Sequence, residues 1–188
     1  MTAEIPAINA LIARSVISLH AGSYDPSVID EAVRHAYGVD WQLVRDGTYF
    51  VAEIDGALAG VGGWSRRETL AGAHGPDDPP AAPLEPGRDA ARIRAFYVDP
   101  AFARRGVGRR LLGASEAAAR RAGFSWAELT STLPAVPFYS AFGYRHTRGF
   151  QMPLPSGRML LLELMTKHFD SEESIDRPVT SASVRPPG

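Results

Sequence analysis

Residues 99–123, DPAFARRGVGRRLLGASEAAARRAG, set four arginines and two closely spaced glycines at the point where a helix begins. From Val107 onward apolar residues recur at helical spacing, with Val107, Leu111, Leu112, Ala118, Ala119 and Ala122 on one side and Gly123 as the stop. The first turn of a helix has unpaired backbone N–H groups and a partial positive charge, so it ordinarily draws Asp or Glu. Arg104, Arg105, Arg109 and Arg110 stand there instead, each at a local cost of up to ~1 kcal/mol. An anion that uses both the amides and the guanidinium groups removes that cost, and phosphate is suited to both. The preceding run ARIRAFYV, residues 91–98, reads as a strand. The chain therefore contains a strand-turn-helix unit, the signature of an α/β fold.

At 188 residues and 45% hydrophobic content, the expectation is one domain with a real core. A formal net charge of -1 makes the arginine cluster a local feature rather than general basicity, which argues against nucleic acid. There is no cysteine, so thiolate catalysis, disulfides and cysteine metal sites are excluded. The five histidines, His20, His35, His74, His146 and His168, lack ligand spacing, and no metal is expected. The start MTAEIPAINALIARS has no basic leader and no apolar run is long enough to span a bilayer, so the expectation is a cytoplasmic protein that does not engage a membrane.

Two helices lead. Ile5, Ile8, Leu11, Ile12 and Val16 mark the first, with Thr2 as cap; in YDPSVIDEAVRHAYG, Asp25 caps, Pro26 fits the first turn and Gly38 closes. Strands over 48–54 and 57–65 meet at Asp55-Gly56, a strong hairpin signal. Residues 71–90, crowded with Pro and Gly, read as a flexible loop whose length points to disorder or, less strongly, to a lid. After the central unit come a strand over 125–131, a short helix over 135–142 ending at Gly143, and strands over 144–152 and 158–166. The domain is expected over 1–168, and the tail 169–188, without apolar periodicity, as a disordered solvated extension.

A Gly-rich turn between strand and helix has several possible ligands. The dinucleotide fingerprint needs a third glycine where Leu111 stands, and the nucleotide-hydrolase phosphate loop needs Gly-Lys-Ser/Thr, which is missing. On its own, Gly106-x-Gly108 is equally a tight turn that lets helix and sheet approach. A nucleic-acid site built on the arginines would need a wider basic face than this near-neutral chain offers.

The stretches IRAFYVDPAFARRGVGRRLL and STLPAVPFYSAFGYR together resemble the GNAT superfamily of acyl-CoA-dependent N-acetyltransferases, over about residues 5–167. The family's Gln/Arg-x-x-Gly-x-Gly/Ala pattern falls on Ala103, Arg104, Arg105, Gly106, Val107 and Gly108, with Arg109 following; the first position departs from the pattern, while the glycine spacing is kept. A second family pattern, Asn, Ala, Tyr and Gly-Phe, falls on Thr132, Ala135, Tyr139 and Gly143-Tyr144, with Phe138 beside the tyrosine. The resemblance implies a mixed, mostly antiparallel sheet splayed between the family's fourth and fifth strands, here 91–98 and 125–131, with helices on both faces. It also implies acetyl-CoA as cosubstrate, with backbone amides of the turn on its pyrophosphate. Family members usually open with a strand ahead of the first helix; this chain begins almost at that helix, so the sheet edge is expected to be covered by the tail or by a second subunit of a homodimer.

The function implied is transfer of an acetyl group to a primary amine, a small molecule rather than a protein, through a ternary complex. The alternative is a non-catalytic acyl-CoA binding or sensing module. By similarity, backbone groups near Phe96 and Val98 pair with the pantetheine arm and polarise the acetyl carbonyl, and Tyr139 is the candidate acid for the departing thiolate. Tyr139 reads equally well as an aromatic that holds the short helix on the sheet. Some relatives place a Glu base near the start of the fourth strand, where this chain has Arg92, which cannot serve; no base is assigned. Strand alternation puts Arg92 and Arg94 on one face, paired with Glu128. Trp64 is either a wall of the acceptor pocket or, more simply, core.

Overall fold

A computed structural model describes residues 4–169 and 182–185. The first helix, α1 (Ile5–His20), buries Ile8, Leu11, Ile12 and Val16, the stripe its periodicity predicts. Its cap position is Glu4; Thr2 lies outside the described residues. In α2 (Pro26–His35) the Asp25 side chain accepts from the Ser27 N–H at 2.8 Å, and the helix stops at His35, before Gly38. A helix the periodicity does not announce follows, α3 (Trp41–Asp46). Asp40 caps it by accepting from Gln42 and Leu43 N–H, and Gly47 closes it in the left-handed region at φ 68°. Six residues are too few to display a helical repeat.

Strands β1 (Tyr49–Ile54) and β2 (Ala57–Ser65) are joined by Asp55-Gly56, both with positive φ, as a two-residue hairpin turn requires. Then come β3 (Ala91–Val98), a 3-10 turn (Pro100–Phe102), α4 (Val107–Arg121), β4 (Trp126–Thr132), α5 (Val136–Ala141), β5 (Arg145–Pro153), β6 (Met159–His168) and β7 (Ala182–Arg185). The sheet runs β5-β6-β4-β3-β2-β1-β7. Every neighbouring pair is antiparallel except β3 and β4. Those two pair only at Ala91↔Ala127 and Arg92↔Glu128 and then separate, which is the splay the resemblance implies.

Helices cover both faces because alternate strand residues point oppositely. Val51 and Val61 join the core under α1 and α3, whereas Ala52, Ile54 and Ala59 pack against Val107 and Leu111 of α4. The expected apolar side of α4 needs correction at its far end. Ala122 is exposed and Ala118 half-buried, while Ser115 and Glu116 take buried positions, Glu116 accepting from Lys167 Nζ at 2.9 Å.

Two segments differ from expectation. Residues 71–90 form no helix or strand, yet the chain here is tied down: Ala73 N–H donates to the Ala36 carbonyl, Ala81 N–H to Gln42 Oε1, and Leu84, buried, donates its N–H to Arg66. Within the tail, expected throughout as a solvated extension, Ala182–Arg185 instead form β7, which lies on β1 in register from Val51↔Arg185 to Ile54↔Ala182. Phe169, at the start of the expected tail, packs on the core and donates its N–H to the Ser125 carbonyl; the rest of the tail falls outside the described residues. The edge of β1 is thus covered from within the chain, with Arg185 bridging Glu4 and Glu53 at 2.6 and 2.8 Å. No helix among the described residues is long and apolar enough to cross a membrane.

Candidate functional site

The turn before α4 is held against the sheet by missing side chains. A Cβ on Gly60 of β2 would stand 2.8 Å from Val107 Cγ1 and 2.9 Å from the Tyr97 carbonyl oxygen, so only glycine lets the helix start this close to β2. Gly106 enters α4 at φ 81°, no side chain caps the helix, and its first turn has no acidic residue. The leading N–H groups of Val107, Gly108 and Arg109 therefore have no side-chain acceptor. Arg104, at φ 62°, and Arg109 are exposed beside them. Arg105 turns away, its guanidinium 5.3 Å from the Phe102 ring centroid. The turn is anchored by Asp99, whose side chain accepts from Ala101 N–H at 3.0 Å and from Arg14 Nε at 3.1 Å. Burial alone would raise the Asp99 pKa; these two partners outweigh it and hold the carboxyl below its ordinary value.

The second element is a bulge in β3. Val61 pairs with Tyr97 and Gly63 with Arg94, so three steps of β3 oppose two of β2. Ala95 carries the extra residue at φ 55°, a conformation that favours glycine. A bulge interrupts the ladder and turns backbone groups toward the open side. Phe96, next along, lies over Gly62, where a Cβ would come within 2.8 Å of its ring.

Across the splay, α5 presents Phe138 and Tyr139. The Tyr139 ring meets Phe96 at 6.4 Å, Phe138 at 5.0 Å and Tyr144 at 5.8 Å between centroids. It is 8% exposed, and burial pushes its phenol above the ordinary value, so the hydroxyl stays protonated. Gly108 faces the same group: a Cβ there would be 3.2 Å from Phe138 Cζ.

These pieces line one cavity of about 780 Å³. Phe96, Val98, Ala103, Arg104, Gly106, Val107, Gly108, Arg109, Thr132, Ala135, Phe138 and Tyr139 all border it; Arg105 does not. Trp64 does not either, and packs in the core edge-on to Phe124 at 5.9 Å. Arg92 pairs with Glu128 as expected, but Arg94 is buried elsewhere, 2.7 Å from Asp40 and donating to the Thr69 and Gly72 carbonyls. The cavity continues past β3 to residues that sequence reasoning did not single out: Ser15, Leu19 and His20 at the end of α1, Tyr37, Asp40, Leu70 to Ala73, Met152 and Leu162. The available signal was slight. His20 extends the buried stripe of α1 one turn beyond Val16, and Tyr37 stands at the end of the run read as the second helix, two residues past the point where α2 stops.

The family model described as "Acetyltransferase (GNAT) family" matches residues 14–144. Among solved structures, a GCN5-related N-acetyltransferase from Rhodopseudomonas palustris superposes with a TM-score of 0.65 at 19% identity, covering 90% of this chain and 92% of its own. The PaiA N-acetyltransferase from Thermoplasma acidophilum, in complex with coenzyme A, gives 0.57 at 14% identity, with 89% and 94% covered. The yncA protein from Salmonella typhimurium, with its cofactor acetyl-CoA, gives 0.56 at 20% identity, with 94% of both chains covered. No curated protein matches the chain by sequence.

Proposed function

The chain belongs to the acetyltransferase (GNAT) family, and from that premise we propose that it transfers an acetyl group from acetyl-CoA to a primary amine of a small molecule, by direct attack with both substrates bound. The observation that carries this reading is the mouth of α4: uncapped amides, a first turn without carboxylates, and glycine at 106 and 108. Val107, Gly108 and Arg109 donate backbone N–H groups to the diphosphate, and Arg104 adds charge. Ala103, Thr132, Ala135 and Phe138 flank the arm that leads inward, and the backbone at Val98 pairs with it. Arg105, lodged on Phe102, contributes charge at longer range.

The bound thioester supplies the carbon that the amine attacks. The Phe96 N–H at the bulge donates to the carbonyl oxygen, where negative charge builds as the new C–N bond forms. The C–S bond then breaks, the Tyr139 hydroxyl donates to the departing sulfur, and the proton shed by the attacking nitrogen passes through water to that sulfur, so that amide and free thiol result. Because burial raises its pKa, Tyr139 acts best by stabilising the thiolate through its O–H rather than by losing the proton outright. The same ring also holds α5 on the sheet, so the two roles read from the sequence coexist. The proposed setting is the cytoplasm.

Thiol release from acetyl-CoA against pooled amines tests this directly. Turnover is expected, and Tyr139→Phe should lower kcat roughly 10- to 100-fold with the KM for acetyl-CoA nearly unchanged. Calorimetric binding of acetyl-CoA without thiol release from any amine would replace the enzyme with a binding or sensing module.

A further inference from the structure

Past the β3 bulge the cavity is walled by apolar side chains. Leu19, Tyr37, Leu70, Ala71, Met152 and Leu162 border it there. They form a continuous surface: Tyr37 packs edge-on to Tyr97 at 6.0 Å and joins Ala71, Met152 and Leu162 in one apolar cluster. Leu162 pairs across the sheet with Thr132, which flanks the pantetheine arm in the reading above, so this wall begins beside the arm of the cosubstrate.

The polar groups of this half are committed or sealed. Asp40, the one carboxylate among the described lining residues, has no solvent exposure and binds Arg94 at 2.7 Å. Arg94 donates its other bonds to the Thr69 and Gly72 carbonyls. Thr130 Oγ1 donates to the Leu70 carbonyl at 2.8 Å, and Ala73 N–H to the Ala36 carbonyl at 3.1 Å. His20 Nε2 and Tyr37 Oη are closed to solvent, and Ser15 is 3% exposed. A charged or hydrogen-bonding body entering here would lose its water and gain no partner. A methylene chain has no such loss and gains its burial.

Resting on the acyl-transfer reading above, we propose that the site takes acyl groups longer than acetyl from coenzyme A, straight aliphatic chains that run from the thioester carbonyl past β3 along Tyr37, Met152 and Leu162. The transfer itself is the one already described. The acyl carbon leaves sulfur and bonds the amine nitrogen, and the proton that nitrogen sheds goes to the sulfur, which departs as free thiol. Only the group carried on the carbonyl changes: a lone methyl would leave the apolar wall against water, and a longer chain covers it.

Calorimetric titration with coenzyme A, acetyl-CoA, butyryl-CoA and hexanoyl-CoA tests this without an acceptor. Each buried methylene adds up to about fourfold in affinity. Hexanoyl-CoA is therefore expected to bind at least about tenfold more tightly than acetyl-CoA, with butyryl-CoA between them. Leu19→Asp and Leu70→Asp each put a carboxylate on the wall, at an exposed and a half-buried position that the fold accommodates. In both, the hexanoyl-to-acetyl ratio should fall below about threefold. A smaller ratio in the unaltered protein, or one that both variants leave unchanged, would overturn the proposal and give the wall to the acceptor, while acyl transfer itself still stands. Binding of none of the four would overturn the reading beneath it as well.

Discussion

The α4 end of the cavity is bordered by three consecutive residues at an uncapped helix start, Val107, Gly108 and Arg109; the other end is bordered by side chains from α1, the α2–α3 connection, the loop after β2 and the strands β5 and β6. The first end depends on the absence of side chains, at Gly60, Gly106 and Gly108, and on one helix direction. The second depends on distant segments being brought together, and the Asp40–Arg94 pair does much of this. Arg94 of β3 gathers Asp40 of the α3 cap and the carbonyls of Thr69 and Gly72 around one guanidinium. A site for a cosubstrate shared by many enzymes can be written locally in backbone. A site for a particular substrate has to be assembled from the whole fold.

If that contrast is right, damage to the two ends should look different. Asp40→Ala should have the largest effect, on stability, because it leaves Arg94 buried without its partner and strips the α3 cap; breaking such a pair costs about 3–5 kcal/mol. Urea unfolding reads it directly, and a loss below about 1 kcal/mol would mean the far wall is held by something else. Gly108→Asp should do the opposite, weakening acetyl-CoA binding by at least about 100-fold, or roughly 2.7 kcal/mol. Its stability should change less, since the new Cβ asks the Phe138 ring to yield only a few tenths of an ångström. Calorimetry and thermal unfolding on the same sample separate the two. Ala95→Gly probes the bulge between the ends: relieving φ 55° should stabilise the protein by up to about 1 kcal/mol. A loss of stability would show that the bulge is not strained.

The smallest effect is a slope against pH. Burial lowers the His20 pKa, and its bond to the Val16 carbonyl only partly opposes this. The unfolded chain therefore takes up a proton near pH 6.5 that the folded protein still refuses. The contribution of His20 is intact above that value and is lost as pH falls from there toward the lower folded pKa. Denaturant titrations between pH 7.5 and 5 should show this decline, and it should be shallower in His20→Gln. An identical slope in the variant would remove His20 from the account.

The same contrast explains what could be read from the chain. The α4 mouth was legible because strand, turn, glycines and helix lie within about thirty consecutive residues, and Gly60, which completes it, sits in a recognisable strand. The antiparallel hairpin was legible from Asp55-Gly56. By contrast, α3 is too short to show a period, and the alternation in β7 spans only four residues, Ala182-Ser183-Val184-Arg185, too few to stand out in a polar tail. Strand alternation groups Arg94 with Arg92 opposite Glu128, but β3 leaves β4 after Arg92↔Glu128, so Arg94 has no β4 residue beside it and turns to Asp40 instead. His20 is one of five histidines without ligand spacing and Tyr37 falls in the run read as the second helix; only packing stacks their rings, 6.1 Å apart. Arg105 shared its neighbour's charge and position in the turn, and only the path of the backbone sends it to Phe102 instead of the cavity.

The central claim is that the first amides of α4 grip the diphosphate of coenzyme A. Backbone amide resonances followed while coenzyme A is titrated into isotopically labelled protein test it most directly. The account predicts that Val107, Gly108 and Arg109 move furthest and saturate together. Largest shifts elsewhere, with these three unmoved at saturation, would contradict it.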